Sequence, residues 1–265
     1  MAEANAGAVG EEKARFLTYF NRERDVLIVG GDSGPLVREL ELHLLASDIA
    51  HDAFTMKRLR DGLSALALYM MSRPGFETSG WTISLQEPPL NLFFTGSARD
   101  QTVVGRAFLE GVEPSRKNLF YAETSREFGD RQRSSVDVEG SDIFGIVEQY
   151  CARSDQQLAR FFSYGEGDVA LLSSLPGADQ EWLQEVGGDE IFSLIRAGGL
   201  KLISDRRVSF LCGCDTDRIT KIVVDLYRDD PEDLFRGDPA VEAECPRCGA
   251  KHSVSRQGFE RFLAA

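Results

Sequence analysis

Cys212-Gly213-Cys214 and Cys245-Pro246-Arg247-Cys248 are the two segments that decide how the C-terminal part of this chain folds. They contain four of the five cysteines and are separated by residues 215–244. Four thiolates in two close pairs can form a closed tetrahedral metal site, typically for Zn²⁺. The same sulfurs can instead form two short-range disulfides. The two pairs therefore indicate either a structural metal clip or a redox sensor.

The second pair is typical of a metal-binding knuckle. The sequence Cys-Pro-Arg-Cys-Gly predicts a turn with both sulfurs on its inner side, and Gly249 can adopt a positive φ directly after it. The alternating residues 241–244 and 251–254 predict the two arms of a small hairpin. In the first pair, Gly213 must allow a sharp backbone path. His252 is an alternative fourth ligand, although four cysteines already suffice.

Composition limits the compartment and the partners. The chain has 265 residues, 42% hydrophobic residues and a formal net charge of −13. Residues 1–7 lack the basic and apolar regions of a signal peptide, so we expect a reducing, cytoplasmic environment in which cysteine pairs hold metal or do redox work. The acidic charge disfavours nucleic acid as a partner. No apolar run approaches the length of a membrane span, so we expect no membrane partner.

Residues 1–177 predict an N-terminal α/β domain with an antiparallel sheet. We expect a strand at 25–29, a plain turn at 30–34 and a helix from residue 36. A second helix over 56–72 should place Leu59, Leu63, Leu66 and Met70 on one face. An antiparallel meander should follow, and Asp142 should cap a helix over 143–154. The predicted strands of the meander and of the end of the sheet are 81–85, 90–95, 102–108, 118–123, 132–138, 156–162 and 168–172.

Residues 178–208 predict a helical linker, and residues 209–265 predict a small metal-binding domain. The pairs Gly187-Gly188 and Gly198-Gly199 divide the linker into short helices, which are marginal unless they pack on something. In the last domain Asp215 should cap a helix, and a final helix should cover 256–263. The residues expected inward on the first of these helices are Ile219, Ile222, Val223 and Leu226.

The other reactive side chains carry no recognisable chemistry. Cys151 is predicted to be a buried, inert thiol on the helix over 143–154. His43 and His51 have no evident partner. The chain shows no Ser/His/Asp set and no credible catalytic carboxylate pair, and a closed Cys₄ site lacks the open position that catalytic zinc needs. We therefore expect that the protein is not an enzyme.

The chain resembles the redox-regulated heat shock protein 33 (33 kDa chaperonin) family. The resemblance lies in Phe210-Leu-Cys212-Gly-Cys214, in Cys245-Pro-Arg-Cys248-Gly249 and in the closing aromatic helix. Two further segments support it, Val147-Glu-Gln-Tyr-Cys-Ala-Arg-Ser-Asp-Gln-Gln-Leu and Asp168-Val-Ala-Leu-Leu-Ser-Ser-Leu-Pro-Gly. The match covers about 145–265, whereas residues 1–140 match only in the order of elements. Asp215 stands where the family usually has Ser.

The resemblance implies an α+β protein with three parts: an N-terminal domain, a helical linker folded over its sheet, and a C-terminal zinc domain. It implies that Cys212, Cys214, Cys245 and Cys248 bind one Zn²⁺ when reduced. Oxidation would then form the disulfides Cys212–Cys214 and Cys245–Cys248, release zinc and expose a surface that holds unfolding client proteins under stress. It leaves a homodimer of the oxidised form open.

The N-terminal half, in which the family's motifs are not legible, leaves room for a second interpretation. The chain could be a divergent relative whose zinc is purely structural and which acts as a protein-interaction module. Zinc release on oxidation distinguishes the two. From the residues alone, a domain of about 55 residues has too little core to fold without its metal, and a glycine-broken linker suits an order–disorder element.

Overall fold

One large sheet organises the molecule in the computed structural model, which describes residues 12–73, 75, 77–112, 116–126 and 131–264. Its ten strands are β1 (Ala14–Asn21), β2 (Val26–Asp32), β3 (Glu77–Gln86), β4 (Pro89–Ser97), β5 (Thr102–Phe108), β6 (Asn118–Arg126), β7 (Gln132–Val138), β8 (Ala159–Tyr164), β9 (Asp168–Ser174) and β10 (Lys201–Phe210). They are ordered β7-β6-β3-β4-β5-β10-β1-β2-β9-β8. A separate hairpin contains β11 (Ala240–Glu244) and β12 (Lys251–Ser255). The predicted α+β class is confirmed.

Eight helices surround these strands in the described residues. They are α1 (Gly34–Ala46), α2 (Ala53–Ser72), α3 (Ile143–Arg153), α4 (Gln180–Glu185), α5 (Gly188–Ala197), α6 (Thr216–Tyr227), α7 (Pro231–Phe235) and α8 (Arg256–Leu263). The first three pack on one face of the sheet and form the main core with it. Within the described residues, no helix has both the length and the apolar character that crossing a membrane requires.

The long helix α2 has the predicted buried face and, in addition, a side-chain cap at its start. Asp52 caps it by accepting a hydrogen bond from the Thr55 amide at 2.7 Å, which satisfies one of the free N–H groups of the first turn. The predicted inward residues are all buried: Leu59, Leu63, Leu66 and Met70. In the same way Asp142 caps α3 by accepting from the Gly145 amide at 2.8 Å.

The prediction of an antiparallel meander is wrong in one connection. β3, β4 and β5 pair in sequence order, but β6 returns to pair with β3 rather than with β5. The reason is that β5 has another neighbour. Its residues Thr102 and Val103 pair in parallel with Ser209 and Phe210 of β10. A strand more than ninety residues later in the chain therefore occupies the position that the meander would have needed.

The predicted helical linker is also wrong in its last third. Residues 180–185 and 188–197 are helical, as expected, but Lys201–Phe210 is the strand β10, which pairs antiparallel with β1. Gly198 and Gly199 both have positive φ, at 74° and 88°, and end α5 so that the chain can turn into a strand. Over Lys201–Val208, β10 pairs on the β1 side only in the described part of the chain, and its side chains are mostly exposed.

The face of α6 is rotated from the predicted one. Ile219 and Val223 are buried, as expected, but the other buried positions are Thr220 and Val224. Ile222 is 44% exposed and Leu226 is 73% exposed. Apolar spacing alone could not identify the buried side of α6, because its apolar residues fit two overlapping stripes.

Two linker helices cover the second face of the sheet at β2 and β9. The sheet contributes Val26, Ile28, Ala170 and Leu172 to this cluster, and the linker contributes Leu183, Val186, Ile191 and Phe192. Gly30 allows the close approach, because a Cβ there would lie 2.7 Å from the Ile195 side chain. The predicted plain turn at 30–34 is therefore partly wrong: Gly30 and Gly31 are the last part of β2.

Candidate metal centre

The first cysteine pair lies in the connection between β10 and α6. Gly213 has a φ of 65°, which lets the chain reverse between Cys212 and Cys214. Asp215 then caps α6, accepting from the Arg218 amide at 2.7 Å, and the Arg218 side chain donates to the Gly213 carbonyl. Both cysteines are partly exposed. The local sequence thus places two sulfurs at the start of a helix, on a glycine-dependent bend.

The second pair forms the turn between β11 and β12. The Cys245 amide donates to the Ala250 carbonyl at 2.8 Å, and the Gly249 amide donates to the Cys245 carbonyl at 2.9 Å. Gly249 has the predicted positive φ, at 79°. The hairpin arms pair from Ala240 opposite Ser255 down to Glu244 opposite Lys251. Cys245 and Cys248 are both almost completely buried.

The fold brings the four predicted site residues together. The sulfurs of Cys212, Cys214, Cys245 and Cys248 all lie within 4.8 Å of one another. Each cysteine of the first pair lies close to one of the second, with Cys212–Cys245 and Cys214–Cys248 sulfur distances of 3.6 Å. None of the four is in a disulfide. Four thiols at mutual contact, from two separate chain segments, are a donor set that can hold one metal ion.

Without a metal, the site disfavours thiolates. A hydrogen bond with Cys248 raises the pKa of the Cys212 thiol, and burial raises it further. Burial is the main cause that raises the pKa of Cys214, to about 12. Four sulfurs this close cannot all carry negative charge unless a cation lies among them. A metal ion that displaces the thiol protons therefore supplies the positive charge that balances the thiolates, which the protein alone does not supply.

The remaining candidate residues lie outside the cluster. Cys151 is buried in the main core on α3, and burial raises the pKa of its thiol. His252 lies on β12 opposite Ala243. Its Nε2 is buried and has no hydrogen-bond partner in the described part of the chain, but the ring is not among the clustered donors. His51 has a local partner, because its Nδ1 donates to the Ile49 carbonyl at 3.2 Å.

The domain around the centre has a small core of its own. Its buried members are Ile219, Val223, Val224, Phe235, Cys245, Cys248, Val254 and Phe259, together with Val104 from β5. Two of these core residues are cysteines of the cluster itself. The cysteines of the site therefore form part of the core of this domain. The N-terminal sheet forms one side of the same core.

Sequence reasoning missed two residues at the site, His43 and Arg106. The expectation that His43 has no partner is wrong: its Nε2 lies 2.9 Å from the Cys248 carbonyl oxygen. Arg106 on β5 donates to the Cys245 carbonyl at 2.8 Å. These residues are 205 and 139 positions from their partners. No local pattern connects positions so far apart, so only the tertiary structure could reveal them.

A cleft open to solvent gives access to the cluster. Its volume is about 690 Å³, and it lies between α1 and the cysteine segments. His43 and Phe210 form part of its wall, and Cys212, Cys214, Cys248 and His252 line the side toward the cluster. Small molecules can therefore reach the first cysteine pair without any unfolding of the domain.

Comparisons of the sequence with known proteins agree on one family. A family model described as Hsp33 protein matches residues 118–255, just over half of the chain. The 33 kDa chaperonin of Vibrio cholerae serotype O1 is 26% identical over 150 residues, which cover 47% of this chain and 52% of the relative. That of Vibrio vulnificus is 24% identical over 215 residues, covering 68% and 74%. The chain thus spans about half the length of the curated relatives it matches first.

A solved structure matches over nearly the whole length. The crystal structure of the 33 kDa chaperonin from Thermotoga maritima superposes with a TM-score of 0.69. The match covers 94% of this chain and 97% of that chain at 14% identity. At this level of identity the likeness shows a common fold.

Proposed function

Because this chain belongs to the Hsp33 family, we propose that it is an ATP-independent holdase chaperone that is inactive while reduced and metal-bound. Oxidation of its four cysteines releases the metal and exposes a surface that binds unfolded proteins, without enzymatic turnover. One observation carries the proposal: the four-thiol cluster is joined through β10 to a linker that covers an apolar part of the sheet. A chemical change at the cluster can therefore uncover that surface.

The metal of this proposal is one Zn²⁺, held by Cys212, Cys214, Cys245 and Cys248. Zinc–thiolate bonds of about 2.3 Å in a tetrahedron place neighbouring sulfurs about 3.8 Å apart. The two observed sulfur distances of 3.6 Å fit this spacing. When bound, the ion would neutralise two of the four thiolate charges and supply folding free energy on the order of 10 kcal/mol to the small domain.

The oxidised state in this proposal contains the disulfides Cys212–Cys214 and Cys245–Cys248. Each forms from two thiols and one peroxide, with two molecules of water as the other product. The 3.6 Å contacts in the reduced cluster run between the two pairs rather than within them. Disulfides within each pair would therefore require the cluster to rearrange. Because Cys245 and Cys248 are also core residues, that rearrangement disrupts the domain.

The client-binding surface would come from the linker and the sheet beneath it. Lifting α4 and α5 exposes Val26, Ile28, Ala170 and Leu172 on the sheet, and Leu183, Ile191 and Phe192 on the helices. We propose the division into an N-terminal domain (1–177), a linker (178–208) and a zinc domain (209–265), with the mobile part of the linker restricted to about 178–200. An exposed apolar area of this kind suits unfolded chains of many sequences.

The test is a light-scattering assay with a heat-denatured client and either reduced or peroxide-treated protein. We expect suppression of aggregation by the oxidised protein only, together with release of one zinc per chain. The variant Cys151→Ser serves as the matched control, because it removes the one cysteine outside the cluster and should leave the switch intact. Equal suppression in both states, or none in either, would contradict the proposal.

A second candidate function is a protein-interaction module with a purely structural zinc. It is favoured by β10, because about a quarter of the expected linker, residues 201–208, is an ordered strand paired with β1. Zinc content and far-UV circular dichroism before and after peroxide separate the two functions. If zinc stays bound and the spectrum is unchanged, the structural function replaces the switch.

A further inference from the structure

Two side chains of the N-terminal domain bind the backbone of the second cysteine pair. His43 Nε2 lies 2.9 Å from the Cys248 carbonyl oxygen, and Arg106 Nη1 lies 2.8 Å from that of Cys245. A carbonyl oxygen only accepts, so His43 carries its hydrogen on Nε2 and donates it. Neither side chain uses a sulfur in these contacts. All four thiolates therefore stay available to the metal while the cysteine turn is held from outside.

The Arg106 side chain is held in place by contacts other than its hydrogen bond to the turn. Its side chain is only 17% exposed and forms an ion pair with Glu244, the residue before Cys245. Its guanidinium also stacks over the Phe108 ring, 4.4 Å from the centroid. Val104, two positions earlier on the same face of β5, belongs to the core of the C-terminal domain. This face of β5 is therefore a rigid surface against which the cysteine turn packs.

His43 is held from a different element. It lies in the last turn of α1, and its ring is 5.5 Å from that of Phe210, the last residue of β10. The next residue, Leu211, donates its amide to the Val103 carbonyl at 3.1 Å. The turn, α1, β5 and the end of β10 consequently meet at one place. Undocking of the turn removes a support from the C-terminal end of β10, the strand that follows the linker helices.

The contacts depend on the shape of the turn. The Cys245 carbonyl accepts from Gly249 within the turn and from Arg106 outside it. Gly249 lies so close to Ile49 that a Cβ at position 249 would be 2.8 Å from the Ile49 side chain. If a disulfide or metal loss reshapes the turn, as the proposed switch requires, both carbonyls move away from His43 and Arg106. The docking is therefore conditional on the conformation that the metal ligands require.

We propose that His43 and Arg106 are positioning residues that dock the cysteine turn on the N-terminal domain and thereby pass its conformation to the C-terminal end of β10. The inference rests on the proposed switch, since oxidation supplies the change of shape. Docking by these two side chains, rather than metal binding alone, keeps the cysteine turn in contact with the N-terminal domain. Loss of the two side chains should undock a domain that still holds its metal.

The experiment uses reduced full-length protein loaded with Zn²⁺ alone, and the variants Arg106→Met, His43→Leu and their combination. Hydrogen exchange should rise on the order of tenfold or more at 43–48, 104–108 and 210–212, because the loss of each hydrogen bond costs a factor of that order. One zinc per chain should remain, with α6 and α8 still protected. His43→Gln should behave like the unaltered protein, because its amide nitrogen can donate from the same position.

The matched controls are Arg38→Met and His51→Leu. Arg38 lies on α1 and pairs with Glu12, and the exposed His51 is hydrogen-bonded to the nearby Ile49 carbonyl, so within the described residues neither has a hydrogen bond or ion pair to the cysteine turn. Unchanged exchange at the three segments in the double variant would overturn the proposal. So would simultaneous loss of zinc and of protection in α6 and α8, since the contacts would then belong to the folding of the domain itself. Absence of holdase activity would contradict the proposed function but leave these exchange results standing.

Discussion

Gly249 is the residue at which the metal centre and the N-terminal domain meet. Its φ of 79° closes the cysteine turn, and its missing side chain allows contact with Ile49. Any other residue there would be strained by the backbone, and its Cβ would force the end of the Ile49 side chain to shift. The close packing around this residue also affects the pKa values of the neighbouring thiols. Burial raises the pKa of Cys214 to about 12, and the pKa of Cys212 is raised by its hydrogen bond with Cys248.

These raised pKa values predict how pH acts on the metal-free domain. A thiol whose folded pKa exceeds its unfolded value of about 8.5 stabilises the fold below that pH, and the contribution is lost as pH rises toward the folded pKa. We therefore expect the residual structure of the chelator-treated, reduced domain to decrease between pH 7 and pH 10. Circular dichroism melts at several pH values measure this. A pH-independent midpoint, or the same slope in Cys214→Ser, would contradict the assignment.

At the scale of elements, the linker helices are stable only through their packing. α4 has six residues and α5 has ten, and glycine pairs flank α5 on both sides. Isolated helices of this length are marginal in water. Their buried residues therefore decide whether the linker covers the sheet. Arg160 adds two polar contacts by donating to the Leu183 and Gln184 carbonyls at the end of α4.

Leu183→Ala should loosen the linker while the cluster is still reduced. Leu183 is fully buried, so its truncation should cost about 2 to 5 kcal/mol of docking free energy. Leu202→Ala is the matched control, because Leu202 is 53% exposed on β10 and its truncation should cost less than about 1 kcal/mol. Hydrogen exchange of residues 180–197 measures the effect. Equal protection in both variants would show that the apolar cluster does not hold the linker.

At the scale of the whole molecule, the three parts depend on one another unequally. The N-terminal sheet has its own core beneath α1, α2 and α3. The C-terminal domain has a core that includes two of the four clustered cysteines. β10 belongs to the sheet through seven residue pairs with β1, although the sequence places it next to the first cysteine pair.

Removal of zinc with oxidation should therefore disorder the chain in a defined pattern. We expect rapid hydrogen exchange in 209–264, because this part loses its metal, and in 180–197, because these short helices are marginal once the proposed switch detaches them from the sheet. Protection should persist in α2, in α3 and over Lys201–Val208, which keeps its pairing with β1. Protected linker helices after zinc loss would exclude the linker as the switch. Loss of protection in β10 would mean instead that the two halves of the sheet separate.

The sequence by itself was sufficient for the local features. The helix caps at Asp142 and Asp215, the positive φ of Gly249 and the apolar face of α2 all follow from residues within a few positions of one another. The closeness of the two sulfurs within each cysteine pair also follows from its motif, since each pair needs only a turn to point its sulfurs the same way. These are short-range interactions, and their patterns are legible in a single chain.

Only the tertiary structure decided the partners at long range. It placed residues 201–210 in the sheet, because pairing with β1 and β5 outweighs a weak helical tendency after Gly198-Gly199. It returned β6 to β3, selected the buried side of α6, and brought His43 and Arg106 to the cysteine turn. In each case the deciding contact joins segments far apart in the chain. Local propensity carries no information about such contacts, because their free energy depends on which surfaces the rest of the fold leaves to be covered.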